Sequence, residues 1–483
     1  MELETLFASI KRTLSPEEHD NIERAYIFAH EAHKNQKRYS GELYIYHVIR
    51  ATKNLAEFGV DPETITAGLL HDTVEDCGVL PATIEKEFGK NIASLVVGVS
   101  KLGGIKYRGS TRYAENLRHL FLATAQDVRV ILIKLADRLD NIRTLAHVPK
   151  EKQRRIALET LEIYVPIANR LGMGKLKSEL EDTAFSFAYP KKFEEVNALI
   201  RERAKGREKH IKKVYQSLAK EIVARGIINV RVSYRVKDLY GIYKKILKKD
   251  KEETRIYDIY ALRLIVPTIE DCYKAVGIIH NMWKPVPERF KDYIANPKVN
   301  GYQSLHTTVF TGDGGVVEIQ IRTREMHTNA EYGLASHLIY KEVGVTKKIG
   351  AASSERLDWL THIKDFHASF KDAKPEEFLQ SIKIDFFEKR IFCLTPKGDV
   401  FELPEGATPL DFAYHIHSEI GNHTGGAIVN GKLVALDTPL KNLDIVHIQT
   451  NKANRPKRKW LEYTKTTLAK RFIKSYLREN KLD

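Results

Sequence analysis

The hydrophobic periodicity of this chain changes near residue 230, and this change constrains the fold more than any other feature. From about residue 15 to 185, apolar residues recur at three- and four-residue spacing, which is the pattern of amphipathic helices. Between about 230 and 323, runs such as VRVSYRV, YALRLIV and VVEIQIRT favour strands, and helical stretches separate them. The sequence therefore predicts an all-α domain followed by a mixed α/β domain.

A third kind of segment follows the α/β domain. A polar, helix-prone connector at 346–388 precedes a compact β-rich segment at 389–450. The tail at 451–483 is basic and predicted to be helical, and its 11 Lys/Arg against 3 Asp/Glu supply more than half of the formal net charge of +15. We therefore expect domains at 1–195, 196–345 and 389–450, with the connector and the tail as separate segments.

The composition is that of a globular chain, with 43% hydrophobic and 29% charged residues. No apolar run approaches the roughly 18 residues that span a bilayer, and the N-terminus carries acids where a signal peptide carries bases. The three cysteines, Cys77, Cys272 and Cys393, form no metal-binding motif. We expect a cytoplasmic protein that does not enter a membrane.

Four candidate metal ligands, His47, His71, Asp72 and Asp137, are spread over three predicted helical segments. Imidazoles and carboxylates are the ligand set of divalent metals such as Mn²⁺, Fe²⁺ or Zn²⁺. Asp137 lies in VILIKLADRLDN, whose apolar beginning predicts burial, so that its carboxylate requires a partner. The alternative interpretation is a solvated acidic helix face.

Further polar residues lie close to these ligands in sequence. Glu75 and Asp76 follow the His-Asp pair by four residues, so they project to the same side of a helix and could exchange protons with a water. Asn141 and Thr144 follow Asp137 at helical spacing, and Arg38 precedes an SGE turn that could hold a phosphate.

The strand VVEIQIR has a period of two, so its apolar residues face one side and Glu318, Gln320 and Arg322 face the other. Asp258 could supply a second carboxylate for Mg²⁺, and Tyr302 could stack on a base. The bases around them, suited to a triphosphate, are Arg235, Lys237, Lys244, Lys245, Arg263, Arg289, Lys291, Lys298 and Arg322. The alternative is an amphipathic strand beside a solvated basic surface.

The motifs RYSGE, YIxH, HDxxED and KLADRLxNxRT resemble the HD-type hydrolase domain of the long RelA/SpoT homologues. The resemblance implies Mn²⁺ ligands at His47, His71, Asp72 and Asp137, activation of water by Glu75 and Asp76, and nucleotide contacts at Arg38, Asn141 and Thr144. The sequence departs from the family pattern at Leu43 and Val48, where prolines are usual, and at Asp140, where a histidine is common.

The runs WKPVPERFKDYIANPKVNGYQSLHTTV and VEIQIRTREMHTNAEYGLASH resemble the (p)ppGpp synthetase domain of the same family, whose fold is related to nucleotidyltransferases. The resemblance implies Mg²⁺ at Asp258 and Glu318, with Glu318 also activating the 3′-hydroxyl of GDP or GTP. The implied ATP contacts are Arg235, Lys237, Lys245 and Lys291, and the implied acceptor contacts are Lys298, Asn300, Tyr302 and His306, with Tyr302 stacking on the base. Asp238 stands where the family usually has a histidine.

Residues 390–450 resemble a TGS domain, a β-grasp module. The resemblance implies a contact between His417 and uncharged tRNA, and it suggests the ribosome as a partner through this domain and the basic tail. No segment matches the zinc-finger and ACT-like domains of the family, which leaves open whether the member is naturally short or truncated.

The function implied is bifunctional: a GTP/GDP pyrophosphokinase that uses ATP, and a (p)ppGpp 3′-pyrophosphohydrolase. Two alternatives remain. The chain could be an RNA-binding regulator with decayed catalytic sites, which the intact HDTVED, Asp258 and Glu318 argue against. It could also hydrolyse other nucleotides and carry a vestigial synthetase, which the intact NGYQS argues against.

Overall fold

The structure, a computed structural model, describes residues 2–100, 110–204, 207–236, 238–248, 260–298, 300–312, 315–335, 375–388 and 390–480. The chain divides into two compact units, one within Met1–Gly104 and His119–Asp365, the other within Ile105–Arg118 and Phe366–Asp483. Most of the predicted connector lies outside the described residues. Within the described ranges, no helix has the length and apolar character needed to cross a membrane.

The regular elements among the described residues up to 224 are helices, as the periodicity predicts. They are α1 (Glu2–Phe7), α2 (Pro16–Ala32), α3 (Tyr44–Phe58), α4 (Pro62–Leu70), α5 (Thr73–Cys77), α6 (Pro81–Phe88), α7 (Lys90–Val99), α8 (Ser110–Gln126), α9 (Arg129–Arg143), α10 (Lys150–Glu159), α11 (Val165–Arg170), α12 (Gly174–Ala188), α13 (Pro190–Ala204) and α14 (Arg207–Ala224).

Local sequence signals fix the end of α3 and the beginning of α4. Gly59 ends α3 with a φ of +80°, a left-handed conformation that glycine adopts at low cost. Asp61 then caps α4 by accepting a hydrogen bond from the backbone N–H of Thr64 at 2.9 Å. Helix α3 packs against both α4 and α9, and α9 is buried along nearly its whole length. The polar side chains on these three helices therefore meet inside the helical core.

The α/β part of the first unit contains one five-stranded sheet. Its elements are β1 (Arg231–Val236), α15 (Leu239–Lys248), β2 (Tyr260–Val266), α16 (Ile269–Met282), β3 (Lys291–Asp292), β4 (Leu305–Phe310), β5 (Val316–Thr323) and α17 (Arg324–Tyr332). The strand order is β1-β2-β5-β4-β3, and only the β2–β5 pair is parallel.

One face of this sheet is apolar and the other polar. Val317, Ile319 and Ile321 of β5 lie in a core that includes Leu218 of α14 and Ile279 of α16. The structure thus confirms the alternation predicted for this strand. Glu318, Gln320 and Arg322 belong to the opposite face, but Arg322 is buried as well, which the period of two does not predict.

The helical part and the α/β part of this unit meet at two close glycine contacts. An added Cβ at Gly174 would lie 2.4 Å from the carbonyl oxygen of Ala330. At Gly333, where φ is +59°, it would lie 2.1 Å from the carbonyl oxygen of Leu171. Any side chain at either position would force the two backbones apart.

The second unit contains α18 (Pro375–Ile382), β6 (Arg390–Leu394), β7 (Val400–Pro404), α19 (Pro409–Ile416), α20 (Ser418–Asn422), β8 (Thr424–Val429), β9 (Lys432–Val434), β10 (Val446–Thr450), α21 (Trp460–Tyr463) and α22 (Thr467–Glu479). Strands β6 and β7 form a two-stranded antiparallel sheet, and a three-stranded sheet has the order β10-β8-β9. Phe412 of α19 packs in the core with residues of both sheets.

The basic tail is part of this second unit. Ala469, Ile473 and Leu477 of α22 are buried against Leu410 and Tyr414 of α19. The buried carboxylate of Asp411, also in α19, accepts hydrogen bonds from the backbone N–H groups of Lys465 and Thr466 at 2.8–3.1 Å. Residues Thr467–Glu479 of the tail are therefore helical, and one face of this helix completes a core.

Candidate functional site

The first site forms where α3, α9 and the end of α4 meet. Ligand atoms of His47 on α3, His71 after α4 and Asp137 on α9 all lie within 4.8 Å of one another, and all three residues are buried. Oδ2 of Asp72 lies 3.0 Å from Nε2 of His71 and 3.5 Å from Nε2 of His47. Tertiary packing thus brings together the four ligands expected from sequence.

Both imidazoles are held through Nδ1, which directs Nε2 to the centre of the site. Nδ1 of His47 lies 2.7 Å from the carboxylate of Asp140, and Nδ1 of His71 donates to the carbonyl oxygen of Gly68 at 2.8 Å. Nε2 of His71 is buried, and its 3.0 Å contact with Oδ2 of Asp72 does not have the geometry of a hydrogen bond. Such oriented imidazoles with carboxylates alongside fit a divalent metal ion.

The charges around the centre point to the same ligand. Burial alone would lower the pKa of His47, but hydrogen bonds to Asp137, Asp140 and Asp72 raise it to about 10. Burial alone would raise the pKa of Asp137, but the Lys134 ammonium, 3.0 Å away, holds it well below its usual value. Two carboxylates and two imidazoles share this water-poor site, and the negative charge of the carboxylates favours a cation bound among them.

The predicted nucleotide-binding residues line one side of this centre. Arg38 Nη2 donates to Oδ1 of Asn141 at 2.6 Å, and the amide of Asn141 donates to Asp137. The Thr144 hydroxyl donates to the backbone carbonyl of Asp140 at 2.9 Å. Arg38 and Asn141 are therefore coupled to a ligand carboxylate, whereas Thr144 caps the end of α9.

Glu75 and Asp76 lie in the short helix α5, which begins directly after Asp72. The hydroxyl oxygen of Tyr44 lies 2.8 Å from Oδ2 of Asp72 and 2.8 Å from Oδ2 of Asp76. Asp76 is exposed and Glu75 half-buried. The Tyr44 hydroxyl therefore connects the buried carboxylate of Asp72 to the exposed carboxylate of Asp76.

The second site is the polar face of the five-stranded sheet. Strand register sets Gln320 beside Arg263 on β2 and His306 on β4. The Tyr302 hydroxyl is 2.9 Å from Nε2 of His306, and Nδ1 of His306 is 3.2 Å from Oε1 of Glu318. A chain of polar contacts therefore connects the predicted stacking residue to the predicted catalytic carboxylate.

The other predicted acceptor-site residues lie beside Tyr302. The Lys298 ammonium is 4.8 Å from the centroid of the Tyr302 ring. Asn300 accepts a hydrogen bond from the backbone N–H of Tyr302 at 3.3 Å, and its amide donates to the carbonyl oxygen of Asn169 at 3.0 Å. Lys291 lies on β3, in register with His306.

The predicted ATP side of the cleft is described only in part. Lys237 and Asp258 lie outside the described residues, and Arg235 is described as a backbone position in β1 but not by its side chain. Lys245 lies on α15. Asp238, which replaces the usual histidine, accepts a hydrogen bond from the hydroxyl of Ser178 on α12.

His417 lies in the second unit, between α19 and α20. It is exposed, and its Nδ1 accepts a hydrogen bond from the backbone N–H of Glu419 at 3.2 Å. The imidazole therefore caps α20 and remains accessible at the surface.

Three family models match successive parts of the chain: an HD domain at residues 25–174, the "Region found in RelA / SpoT proteins" at 234–345, and a TGS domain at 391–450. A guanosine-3′,5′-bis(diphosphate) 3′-pyrophosphohydrolase of Aquifex aeolicus is 45% identical over 96% of this chain and 65% of its own length. The chain is a homologue of RelA/SpoT proteins over almost its full length.

Two other relatives carry different names. A GTP pyrophosphokinase of Myxococcus xanthus is 45% identical over 95% of this chain and 60% of its own length. A bifunctional (p)ppGpp synthase/hydrolase RelA of Mycobacterium tuberculosis is 42% identical over 94% of this chain and 62% of its own length. The chain thus spans less than two thirds of the length of these curated relatives.

Sequence reasoning did not assign a role to several residues that shape the first site. Asp140 orients His47 and also accepts from Arg50 Nε at 2.7 Å, Tyr44 contacts Asp72, and Lys134 pairs with Asp137. Lys134 had a sequence signal, because it interrupts the apolar run VILIKLA. Asp140 was visible in the sequence only as a departure from the family pattern, and Tyr44 only as a neighbour of motif residues.

Proposed function

We propose that this chain transfers pyrophosphate from ATP to the 3′-hydroxyl of GDP or GTP, and that it hydrolyses the product, (p)ppGpp, to GDP or GTP and pyrophosphate. The observation that carries the proposal is that one compact unit contains two clusters of polar side chains. One cluster lies inside the HD region and the other lies on the sheet of the RelA/SpoT region. Relatives named for each activity, and one named for both, support it.

For hydrolysis we assign Mn²⁺ to His47, His71, Asp72 and Asp137, where it would supply Lewis acidity at the phosphoester bond. We assign Asp76, with Glu75 beside it, to accept the proton of the attacking water; the assignment is supported by its exposure and by the Tyr44 hydroxyl that it shares with Asp72. Arg38, Asn141 and Thr144 would hold the nucleotide at the edge of the site.

For synthesis we assign Glu318 as the base for the acceptor hydroxyl, since His306 orients it and the sheet face leaves it half-buried. Mg²⁺ would be held by Glu318 and Asp258 and would neutralise the transferring phosphates. Tyr302, Lys298, Asn300 and His306 would bind GDP or GTP. Arg235, Lys237, Lys245 and Lys291 would bind the phosphates of ATP.

We propose domains at 1–195, 196–345 and 389–450, with the tail packed on the third of them. The connector and tail at 346–388 and 451–483 complete the assignment. Substrates such as ATP and GTP, together with three cysteines that form no disulfide, support a cytoplasmic location.

Two incubations test the main proposal against its alternatives. ATP and GDP with Mg²⁺ should yield ppGpp, and ppGpp with Mn²⁺ should yield GDP, each followed by ion-exchange chromatography. Neither conversion would favour an RNA-binding regulator. Hydrolysis of other nucleotides without synthesis would favour a hydrolase with a vestigial synthetase.

We also propose that the TGS region and α22 bind RNA, and that the RNA partners are uncharged tRNA and the ribosome. Support comes from α22, which buries its apolar face on α19 and exposes Arg471, Lys474 and Arg478. His417 would contact the tRNA end. Phosphate contacts release counterions, so affinity should fall steeply with salt.

Substitutions that remove charge test this proposal better than removal of the tail, because the tail completes the core of the second unit. Replacing Arg471, Lys474 and Arg478 together by Gln should weaken tRNA binding. The slope of log K against log salt should flatten by roughly 0.7–0.9 for each phosphate that the variant no longer neutralises. An unchanged slope would show that α22 does not bind RNA.

A further inference from the structure

Helix α17 covers one end of the polar sheet face, and four side chains meet beneath it: Arg263, Arg322, His327 and Glu331. Arg322 on β5 exposes only 2% of its surface, although it is an arginine on the face of the sheet that carries the acceptor site. Oε1 of Glu331 lies 3.2 Å from Nη2 of Arg322 and 3.3 Å from Nη1 of Arg263. One carboxylate oxygen on α17 therefore bridges two guanidiniums from neighbouring strands.

Charge is concentrated among these four side chains. Nδ1 of His327 lies 2.9 Å from Nη2 of Arg322 and accepts its hydrogen bond. Burial, with Arg322 as the next cause, lowers the pKa of His327 to about 4, so its imidazole is neutral at neutral pH. Two guanidiniums, which stay protonated, thus share one carboxylate. The Nε atom of Arg322 is buried and has no hydrogen-bond partner.

Electron-rich groups around a buried guanidinium stabilise it, because its desolvation is costly. One such group is the ring of Tyr302, whose centroid lies 5.9 Å from Cζ of Arg322, within the roughly 6 Å range of a cation–π contact. His306 holds the Tyr302 hydroxyl at 2.9 Å. The His306 imidazole therefore holds the hydroxyl of Tyr302. The Arg322 guanidinium, which Glu331 holds in place, contacts the Tyr302 ring.

We propose that Glu331 and Arg322 are positioning residues for the acceptor nucleotide. Glu331 holds the Arg322 guanidinium against the Tyr302 ring, and the guanidinium sets the plane of the ring and adds positive charge beneath it. The ligand that fits is a purine nucleoside diphosphate or triphosphate, with a flat base to stack and phosphates to bind. The inference rests on the proposed synthetase function, and it assigns the pair to acceptor affinity and not to ATP affinity.

Kinetics and direct binding with the full chain test this role. In Glu331→Gln the bridging oxygen remains but its charge is lost, and in Arg322→Lys the charge remains but the planar fork is lost. Arg324→Gln is the matched control, because Arg324 is an exposed base at the start of the same helix. We would measure kcat, the KM for GDP and the KM for ATP, the Kd for GDP by calorimetry, and ppGpp hydrolysis as an independent sign of folding.

The expected result is a rise of about tenfold in the KM and Kd for GDP in both variants, a factor that equals about 1.4 kcal/mol. A rise of this size is expected for the loss of one cation–π contact. The KM for ATP and the hydrolysis rate should stay within about twofold, because the proposal gives Glu331 and Arg322 no role in binding ATP or in the hydrolase site. Arg324→Gln should behave as wild type. A GDP Kd in Glu331→Gln equal to that of wild type, or an equal rise in both KM values, would overturn the inference.

Two further outcomes separate this inference from the proposed function. A wild-type chain that binds GDP without making ppGpp would refute the synthetase activity, and the calorimetric comparison would still decide the role of Glu331. A wild-type chain that does not bind GDP would overturn both. If Arg322→Lys loses hydrolysis along with synthesis, it has misfolded, and Glu331→Gln decides alone.

Discussion

Replacing Asp140 by Asn should weaken metal binding in the hydrolase site although Asp140 is not itself a predicted ligand. Its two carboxylate oxygens accept hydrogen bonds, one from Nδ1 of His47 and one from Nε of Arg50, each at 2.7 Å. The residue is 1% exposed. The amide of Asn is nearly isosteric, but it has one accepting oxygen and no charge, so one of these two donors loses its partner. His47 would then be free to turn or to change tautomer.

The loss of such an orienting carboxylate typically costs 10–100-fold in metal affinity or activity. We expect a loss of about that size in the affinity for Mn²⁺, equal to about 1.4–2.7 kcal/mol. The site is buried, so solvent cannot replace the missing interaction cheaply. High Mn²⁺ concentrations should restore most of the hydrolysis rate, because the substitution leaves the predicted ligands in place.

The assay has two parts: calorimetric titration of Mn²⁺ without nucleotide, and ppGpp hydrolysis as a function of Mn²⁺ concentration. Glu179→Gln is the control, since Glu179 is also a carboxylate bound to an arginine at 2.6 Å but is more exposed and lies on α12. Equal Mn²⁺ affinity in Asp140→Asn and wild type would refute the orienting role. A parallel loss of synthesis would show a general folding defect instead.

Three more outcomes are expected. Asp72→Ala and Asp137→Ala should each abolish ppGpp hydrolysis while synthesis stays measurable, and a variant that hydrolyses at the wild-type rate would refute the ligand assignment. Burial raises the pKa of Asp385 to about 6, so its charged form opposes folding above that pH. Asp385→Asn should therefore stabilise the second unit by about 1–3 kcal/mol at pH 8, and this gain should disappear as the pH falls from about 6 to 4 in calorimetric scans. Gly333→Ala should lower the Tm of the first unit much more than Gly226→Ala. Both glycines have a positive φ, but of the two only at Gly333 would the added Cβ lie 2.1 Å from a backbone oxygen. Equal losses in Tm would show that the close contact is unimportant.

Much of the fold could be predicted from the sequence because it depends on local pattern. The spacing of apolar residues predicted the helices of the first part, and the alternation in VVEIQIRT predicted which face of β5 is apolar. The motif HDTVED identified His71 and Asp72 as candidate ligands, since residues that are adjacent in the chain stay adjacent in the fold. The basic tail was predicted as a helix, but its role in the core of the second unit was not.

The limits of prediction lie at contacts between residues that are distant in the chain. Arg322 looked like one more base on a solvated face, and only the packing of α17 shows that it is buried with Glu331. Tyr44 is 28 residues from Asp72, and no spacing rule connects them.

The sequence by itself determined the order of the domains, the period of each element and the chemical types present at each site. The tertiary structure decided which of those groups lose water and which partners they gain. Asp140 illustrates the physical reason: it is 93 residues from His47, and their 2.7 Å contact exists only because α3 and α9 pack together. Periodicity encodes which way a side chain points along its own helix or strand, whereas burial and pairing depend on what another segment brings to that face.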